Sequence, residues 1–421
     1  MKNTIAIILA AGKGTRMKSR TPKILHEILG KTIIKHILES LKDAGIKDVI
    51  VVAGYGSDLL KKTLPINVKI VLQNKLLGSG DAVMATRNIL KGYSGDILII
   101  CGDTPLIKGE TLTRLVREHK SSGSSATVLT AKIKDPGSYG RIVRGEGGEI
   151  LKIAEETEAR LSEKVINEIN VGTYCFTKED LFTALKEVEP DNKKKEFFLT
   201  DTIEILYNKG KITRSVLAED PEEIIGINTR GDLAQATRIL KQRILEDVMS
   251  GGVTIEDTSS TTIYPGVKIG PDTVIHPNTL IESDVEIGKN CHIGPFSRLR
   301  PGVRIGDNVE VGNFVELVRT KVKNNTRVKH HTYLGDTIVG KGVNVGAGTI
   351  TANFDGKNKN RTVIGDGAFI GVGAILIAPV KVGARAIVGA GCVVPRNHNV
   401  PNGATVVGVP AKILRKRKKR G

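Results

Sequence analysis

Residues 263–317 read IYPGVKIGPDTVIHPNTLIESDVEIGKNCHIGPFSRLRPGVRIGDNVEVGNFVEL. An aliphatic residue returns every six positions, at Ile263, Ile269, Ile275, Ile281, Ile287, Ile293, Leu299, Ile305, Val311 and Leu317. After a phase shift the same beat returns at Ile364, Ile370, Leu376, Val382, Val388 and Val394. Glycine often follows the aliphatic residue, as at Gly270, Gly288, Gly306 and Gly365. A six-residue period fits neither a helix nor an alternating hairpin strand. It fits a parallel β-helix in which each short strand turns one aliphatic side chain toward the axis. The beat breaks between Thr351 and Thr362, at Asn353-Phe354-Asp355-Gly356-Lys357-Asn358-Lys359. A polar loop inserted in a solenoid usually serves a binding face, although the repeat alone is equally consistent with a scaffold.

Upstream the texture differs. Ile5–Leu9, Val49–Ala53, Val68–Leu72 and Ile97–Cys101 read as buried strands, with amphipathic helices at Ile33–Ala44 and Asp81–Leu90 between them. This alternation predicts a mostly parallel, Rossmann-like α/β sheet with ligands at the C-terminal strand ends. Leu233, Ala236, Leu240, Ile244 and Val248 recur at helical spacing and predict a connecting helix. The expected organisation is an α/β domain at 1–229, a linker helix at 230–250, an all-β parallel β-helix at 251–410 and a basic tail at 411–421.

The first strand runs into Ala10-Ala11-Gly12-Lys13-Gly14-Thr15-Arg16-Met17, then Thr21-Pro22-Lys23. Two small residues and two glycines let a polyphosphate lie on the backbone, and Lys13, Arg16 and Lys23 supply positive charge. The dinucleotide fingerprint is excluded because Met17 stands where its third glycine would be, and no Gly-Lys-Ser/Thr closes a P-loop. An ordinary tight strand–turn–helix connection is the plainer alternative.

Composition narrows the partners. The chain has 421 residues, room for two or three domains, and no apolar run long enough to span a membrane. Ile5–Ala11 leads into a charged glycine loop rather than a cleavage site, so it reads as a strand and not a signal peptide. A net charge of +18 favours anionic ligands, but 4 % aromatics and no Trp argue against nucleic acid. Cys101, Cys175, Cys291 and Cys392 lack metal-ligand spacing, which suggests a reduced, cytoplasmic compartment and no zinc. The tail Arg415-Lys416-Arg417-Lys418-Lys419-Arg420 is either a solvated end or a clamp for an anionic cofactor.

Leu9-Ala10-Ala11-Gly12-x-Gly14-Thr15-Arg16-Met17 followed by Pro22-Lys23 resembles the signature of sugar-1-phosphate nucleotidyltransferases. Pro22-Lys23-Ile24-Leu25-His26 is most similar to the bacterial bifunctional N-acetylglucosamine-1-phosphate uridyltransferase/glucosamine-1-phosphate acetyltransferase family. The hexad run resembles the left-handed β-helix of hexapeptide acyltransferases, whose members usually trimerise with active sites between subunits. The resemblance implies acetyl transfer from acetyl-CoA to glucosamine-1-phosphate by the C-terminal domain. It then implies uridylyl transfer from UTP to N-acetylglucosamine-1-phosphate by the N-terminal domain, in a cytoplasmic homotrimer serving peptidoglycan synthesis.

It also implies site residues. Leu9, Ala10, Ala11, Gly12, Gly14, Gln73, Gly78 and Ser79 would hold the nucleotide, with Arg16 and Lys23 as phosphate cations. Gly140, Glu155, Asn170 and Asn228 would hold the sugar. Mg²⁺ requires oxygen ligands, for which Asp103, just past the fourth strand, and Asn228 are the candidates. An Asp after a strand can equally cap a helix. In the β-helix, amine acetylation needs a base, and Lys329-His330-His331-Thr332-Tyr333 offers two histidines. The family pattern selects His330. Arg300, Tyr333 and Asn344 fall at sugar-phosphate positions. Ala347, Asn353, Phe354 and Ala390 fall to acetyl-CoA, Asn353 also matching the sugar site.

Several positions depart from the family. Cys101 replaces a common Tyr, Asp81 a common His, and Thr157-Glu158-Ala159 the usual Lys-Asp-Ala. Val318 stands at a phosphate-binding Lys with Arg319 adjacent, Val372 replaces a Ser, and Gly408 replaces an Arg of the CoA site. Two other readings stay open. One is the same architecture acting on a different sugar-1-phosphate or nucleotide. The other is a catalytically silent regulatory subunit, against which Lys23, Asp103 and Asn228 argue.

Overall fold

The computed structural model describes residues 3–12, 14–54 and 56–414. Lys13 and the basic stretch Arg415–Arg420 lie outside the described residues. The chain divides into two compact units, Met1–Thr237 and Arg238–Gly421, and the boundary falls inside the helix Arg230–Ser250.

Among the described residues the first unit is built on a nine-stranded sheet: β1 Thr4–Ala10, β2 Asp48–Ala53, β3 Lys69–Leu72, β4 Asp96–Cys101, β5 Ala126–Lys132, β6 Arg141–Arg144, β7 Ile150–Ala154, β8 Glu168–Thr177 and β9 Thr213–Leu217. The main order is β9-β5-β8-β4-β1-β2-β3, with β6 joined to β8 and β7 to β6. β1 runs parallel to β2 and β4, whereas β8 is antiparallel to both β4 and β5. The central strands are sealed on both faces, as their unbroken Ile/Val runs require. The helix Ile33–Asp43 packs on the helix Gly109–Ser122 and buries Ile33, Ile34, Ile37 and Leu41. Each such side chain contributes about 1.5–3 kcal/mol by leaving water.

The sequence reading covers β1 to β4 and misses β5 to β9. β8 shows why: Asn170 and Gly172 interrupt its apolar run, and its register against β5 shifts between Asn170 and Tyr174. The helix expected at Asp81–Leu90 is Ser79–Met84, followed by turns in which the Thr86 hydroxyl bonds Val83 O at 2.7 Å.

Among the described residues the second unit is a three-sided β-helix with strands stacked in sheets of ten, eight and seven, parallel throughout except for the last strand, Lys412–Ile413, which runs antiparallel to its neighbour. Val274 pairs with His292 and His292 with Glu310, one eighteen-residue coil apart. The next two coils have seventeen residues, Glu310 to Arg327 to Asn344. The inward stack therefore continues without a gap through Val322, Val328, Leu334, Val339 and Val345, with five-residue steps at Leu317–Val322 and Leu334–Val339. What the sequence presents as a lost phase is two single-residue deletions. Asn344 then pairs with Phe369 across a coil of twenty-five residues, seven more than the eighteen-residue coils, which holds the polar insertion.

Corners of the prism need left-handed backbone. Asp272, Asn278, Asp284, Asn290, Asn308 and Asn325 supply it with φ between 53° and 61°. These residue types tolerate that conformation best after glycine.

Candidate active sites

The first site forms where β1 and β4 end side by side. Gly14 has φ 60°, and a Cβ there would lie 2.9 Å from the Lys23 Cβ. Glycine at 14 thus lets Lys23 close against the loop. Lys23 Nζ then stands 2.6 Å from Asp103 Oδ2 and 3.1 Å from Asn228 Oδ1. Arg16 Nη2 donates to the same Asn228 oxygen at 2.9 Å. Asn228 itself is fixed by its backbone N–H, which with that of Thr229 donates to Asp232 Oδ2 at 2.8 Å.

Asp103 caps no helix, since the next one is Gly109–Ser122 with Lys108 at its cap. Two hard oxygens instead converge on one cation, here the Lys23 ammonium. That donor set suits Mg²⁺, which is held by one or two protein oxygens together with substrate phosphates. Among the described residues no group of three or more His, Cys, Asp or Glu forms a self-sufficient metal cage. Leu9, Ala10, Gly12, Lys23, Cys101 and Asp103 line a small cavity of about 120 Å³ at this point.

Cys101 and Asp103 also face a larger cavity of about 520 Å³. It brings Arg16, Gly140, Glu155, Asn170 and Asn228 together from segments more than two hundred residues apart. Burial pushes the Glu155 carboxyl up, opposed by the Thr200 hydroxyl donating to Oε1 at 3.0 Å. Asn170 Nδ2 donates to the buried Tyr174 hydroxyl at 2.7 Å, which fixes the carboxamide. Burial also pushes the Cys101 thiol up to about 12, so it is an inert wall.

Asp201, behind Glu155, was not singled out by the sequence. Burial, with Glu155 and Glu204 nearby, pushes its carboxyl up to about 6. A carboxyl raised in the folded state costs stability as pH rises through its unfolded and folded values. Asp201→Asn removes that cost. Thermal melts should show variant and parent alike near pH 4, and the variant more stable by roughly 1 kcal/mol at pH 8, after allowing for partial solvent screening. A difference constant across that range would contradict it.

Gln73 follows β3, and Gly78 and Ser79 begin the next helix. Gly80 N donates to Phe197 O and Phe197 N to Leu77 O, which pins this loop to the segment beyond β8. Ser79 Oγ accepts from Leu199 N at 3.0 Å.

In the second unit His330 ends its strand at an exposed corner, and its Nδ1 lies 2.9 Å from Asn313 Oδ1. Since that oxygen accepts, Nδ1 is the donor, and in the neutral imidazole this leaves the lone pair on Nε2. His331, at φ 44°, instead stacks on Phe314 with ring centroids 5.0 Å apart. Asn313 is the residue the sequence reading passed over. The signal was present, because residues one coil apart are strand partners, and Asn313 and His330 are in register.

Arg300 pairs with Glu316 at 2.9 Å, and Glu316 is in register with Tyr333. A Cβ on Gly335 would come within 2.6 Å of both Tyr333 Oη and Asn353 Nδ2, so these two groups meet over the glycine. Asn353 also donates to Asp336, which holds Arg319 by two bonds of 2.6 and 2.8 Å. Val318 is buried beside them and offers no charge. Asn344 lies on the strand next to that of His330. Ala347, Val372, Ala390 and Gly408 fall on one column, a coil apart each, following the register Asn344–Phe369–Ile387–Thr405. Phe354 is exposed on the inserted loop.

Among the described residues no helix is long and apolar enough to cross a membrane, and all four cysteines are free. Residues 5–222 match the nucleotidyl transferase family model. Residues 284–319 and 361–396 match the bacterial transferase hexapeptide model of six repeats. Three relatives are each named bifunctional protein GlmU. That of Pelotomaculum thermopropionicum is 42 % identical over 409 residues, covering 89 % of this chain and 90 % of its own. That of Heliobacterium modesticaldum is 41 % identical over 440 residues, covering 97 % and 96 %. That of Acetivibrio thermocellus is 43 % identical over 424 residues, covering 93 % and 92 %. With both units matched in order and nearly full length shared, the chain belongs to the family of the bifunctional GlmU proteins.

Proposed function

We propose that the chain makes UDP-N-acetylglucosamine in two steps, one in each unit. It is a bifunctional transferase whose first unit is a nucleotidyltransferase and whose second is an acetyltransferase. In the second unit, glucosamine-1-phosphate is acetylated by acetyl-CoA. The amine nitrogen attacks the thioester carbonyl, the carbon–sulfur bond breaks, and His330 Nε2 takes the amine proton and returns it to the leaving thiolate. Arg300, Tyr333, Asn344 and Asn353 hold the sugar phosphate, and Phe354, Ala347 and Ala390 line the acetyl-CoA path. Domain limits of 1–229, 230–250, 251–410 and 411–421 fit this division.

In the first unit the phosphate oxygen of N-acetylglucosamine-1-phosphate attacks the α-phosphorus of UTP and pyrophosphate leaves. Arg16 and Lys23 neutralise the polyphosphate over the Leu9–Gly14 loop. Glu155 and Asn170 bind the sugar against Gly140. Asp103 and Asn228 would hold Mg²⁺, which would supply positive charge to stabilise the charge developing on the phosphates. A cytoplasmic homotrimer accords with the free thiols and with the hexapeptide architecture.

The convergence of Lys23, Arg16, Asp103 and Asn228 beside the Glu155 cavity carries this reading. Incubating the chain with UTP, Mg²⁺ and N-acetylglucosamine-1-phosphate should release pyrophosphate, and acetyl-CoA with glucosamine-1-phosphate should release thiol. Failure of either rejects that unit's activity. A second reading, another acetamido- or amino-sugar phosphate, draws on Thr157-Glu158-Ala159. This departing segment is tied down by Lys193, whose ammonium bonds Thr157 O and whose N–H donates to Glu158 at 3.2 Å. A higher kcat/KM with another sugar-1-phosphate would favour it.

A further inference from the structure

The Gln73 amide can take only one orientation, and Asp81 helps to set it. Gln73 is 7 % exposed and sits at the C-terminal edge of the sheet, its N–H donating to Ala53 O at 2.8 Å. Its Nε2 donates to Gly78 O at 3.0 Å and to Asp81 Oδ2 at 2.7 Å. A carbonyl and a carboxylate oxygen both accept and do not donate. Turning the amide over would place Oε1 against two oxygens and lose both bonds. Among the described residues nothing donates to Oε1, so an acceptor is what this amide has left to offer a ligand.

We propose that Asp81 is a positioning residue for base selection: it locks Gln73 so that Oε1 meets the N3–H of a uracil. Cytosine presents a lone pair at N3, which an acceptor repels, so the lock rejects cytosine nucleotides. The inference rests on the uridylyl-transfer reading above and adds a residue that touches neither substrate nor metal.

Asn at position 81 is nearly isosteric but can donate as well as accept, which makes both Gln73 orientations tolerable. The test compares pyrophosphate release from UTP and from CTP, with N-acetylglucosamine-1-phosphate and Mg²⁺, for the parent, Asp81→Asn and Asp81→Ala. Both variants should lower the UTP-to-CTP ratio of kcat/KM by about tenfold, the worth of one hydrogen bond. Gly78 O still biases the amide, so selection is weakened and not abolished. A merely structural role would slow both nucleotides alike. A ratio within about twofold of the parent in Asp81→Asn overturns the proposal, whatever Asp81→Ala does to folding. A parent active with UTP but unchanged in ratio on substitution refutes only the role of Asp81. A parent inactive with UTP refutes the nucleotide reading itself, and this inference with it.

Discussion

Asp103→Asn should lower pyrophosphate release by about three orders of magnitude while leaving acetyl transfer untouched. The side chain is one of two oxygens that converge on Lys23 Nζ, at 2.6 Å, with Asn228 Oδ1 at 3.1 Å. The Lys23 ammonium lies between them. On the uridylyl-transfer reading a triphosphate would engage Lys23, and Asp103 would then be free to hold a cation against the phosphates. An Asn keeps the shape and one oxygen but loses the charge, and charge stabilisation at a transferring phosphoryl group is commonly worth 10²–10³-fold or more. Folding should be spared, because the tie between this segment and the Asn228 loop is a backbone bond, Ile227 N to Asp103 O at 2.8 Å. The loss should appear in kcat more than in the KM for UTP, whose phosphates retain Arg16 and Lys23. Titration with Mn²⁺ alone gives a readout independent of turnover: the variant should bind it more weakly than the parent. Retained activity, or equal Mn²⁺ affinity, would remove Asp103 from the role.

How much of this was legible in the sequence depends on what each residue type advertises. Inward aliphatics of a β-helix repeat with the strand, so Ile263 to Leu317 announced the fold. The two deletions did not, because Val322 and Val339 keep the aliphatic but shift it by one. Thr351 hid better still. It points inward, fully buried, and is polar; the hydrogen bond its hydroxyl accepts from Gly335 N at 2.8 Å makes that burial tolerable. In the α/β unit the continuous apolar strands β1 to β4 were readable, whereas β8 was masked by its bulge. Lys23 and Asp103 were visible through glycine and proline punctuation. Asp201 and Asp232 were not, since an acidic residue early in a helix ordinarily signals only the helix dipole. Their surroundings, not their types, set their roles: Asp232 holds the Asn228 loop and Asp201 lies beside Glu155. Asp81 was visible as a departure, but its effect on Gln73 needed the 2.7 Å contact.

His330→Ala should reduce acetyl transfer by about 10²–10⁴-fold, the usual worth of a positioned general base. Pyrophosphate release from UTP should be unchanged, since the candidate residues for that reaction all lie before residue 238. The amine of glucosamine-1-phosphate must lose a proton to become a lasting amide nitrogen. His330 can take it at Nε2 because Asn313 Oδ1 claims the proton on Nδ1 at 2.9 Å. Asn313→Ala then provides the discriminating control. It leaves the imidazole in place but lets the ring turn and exchange tautomers, so the rate should fall by roughly tenfold, with kcat more affected than the KM for either substrate. His331→Ala removes a ring stacked on Phe314 and should leave the rate of acetyl transfer within about threefold of the parent. If instead His331→Ala abolished acetyl transfer and His330→Ala spared it, the base would be the stacked histidine, and the Asn313 contact would be structural only.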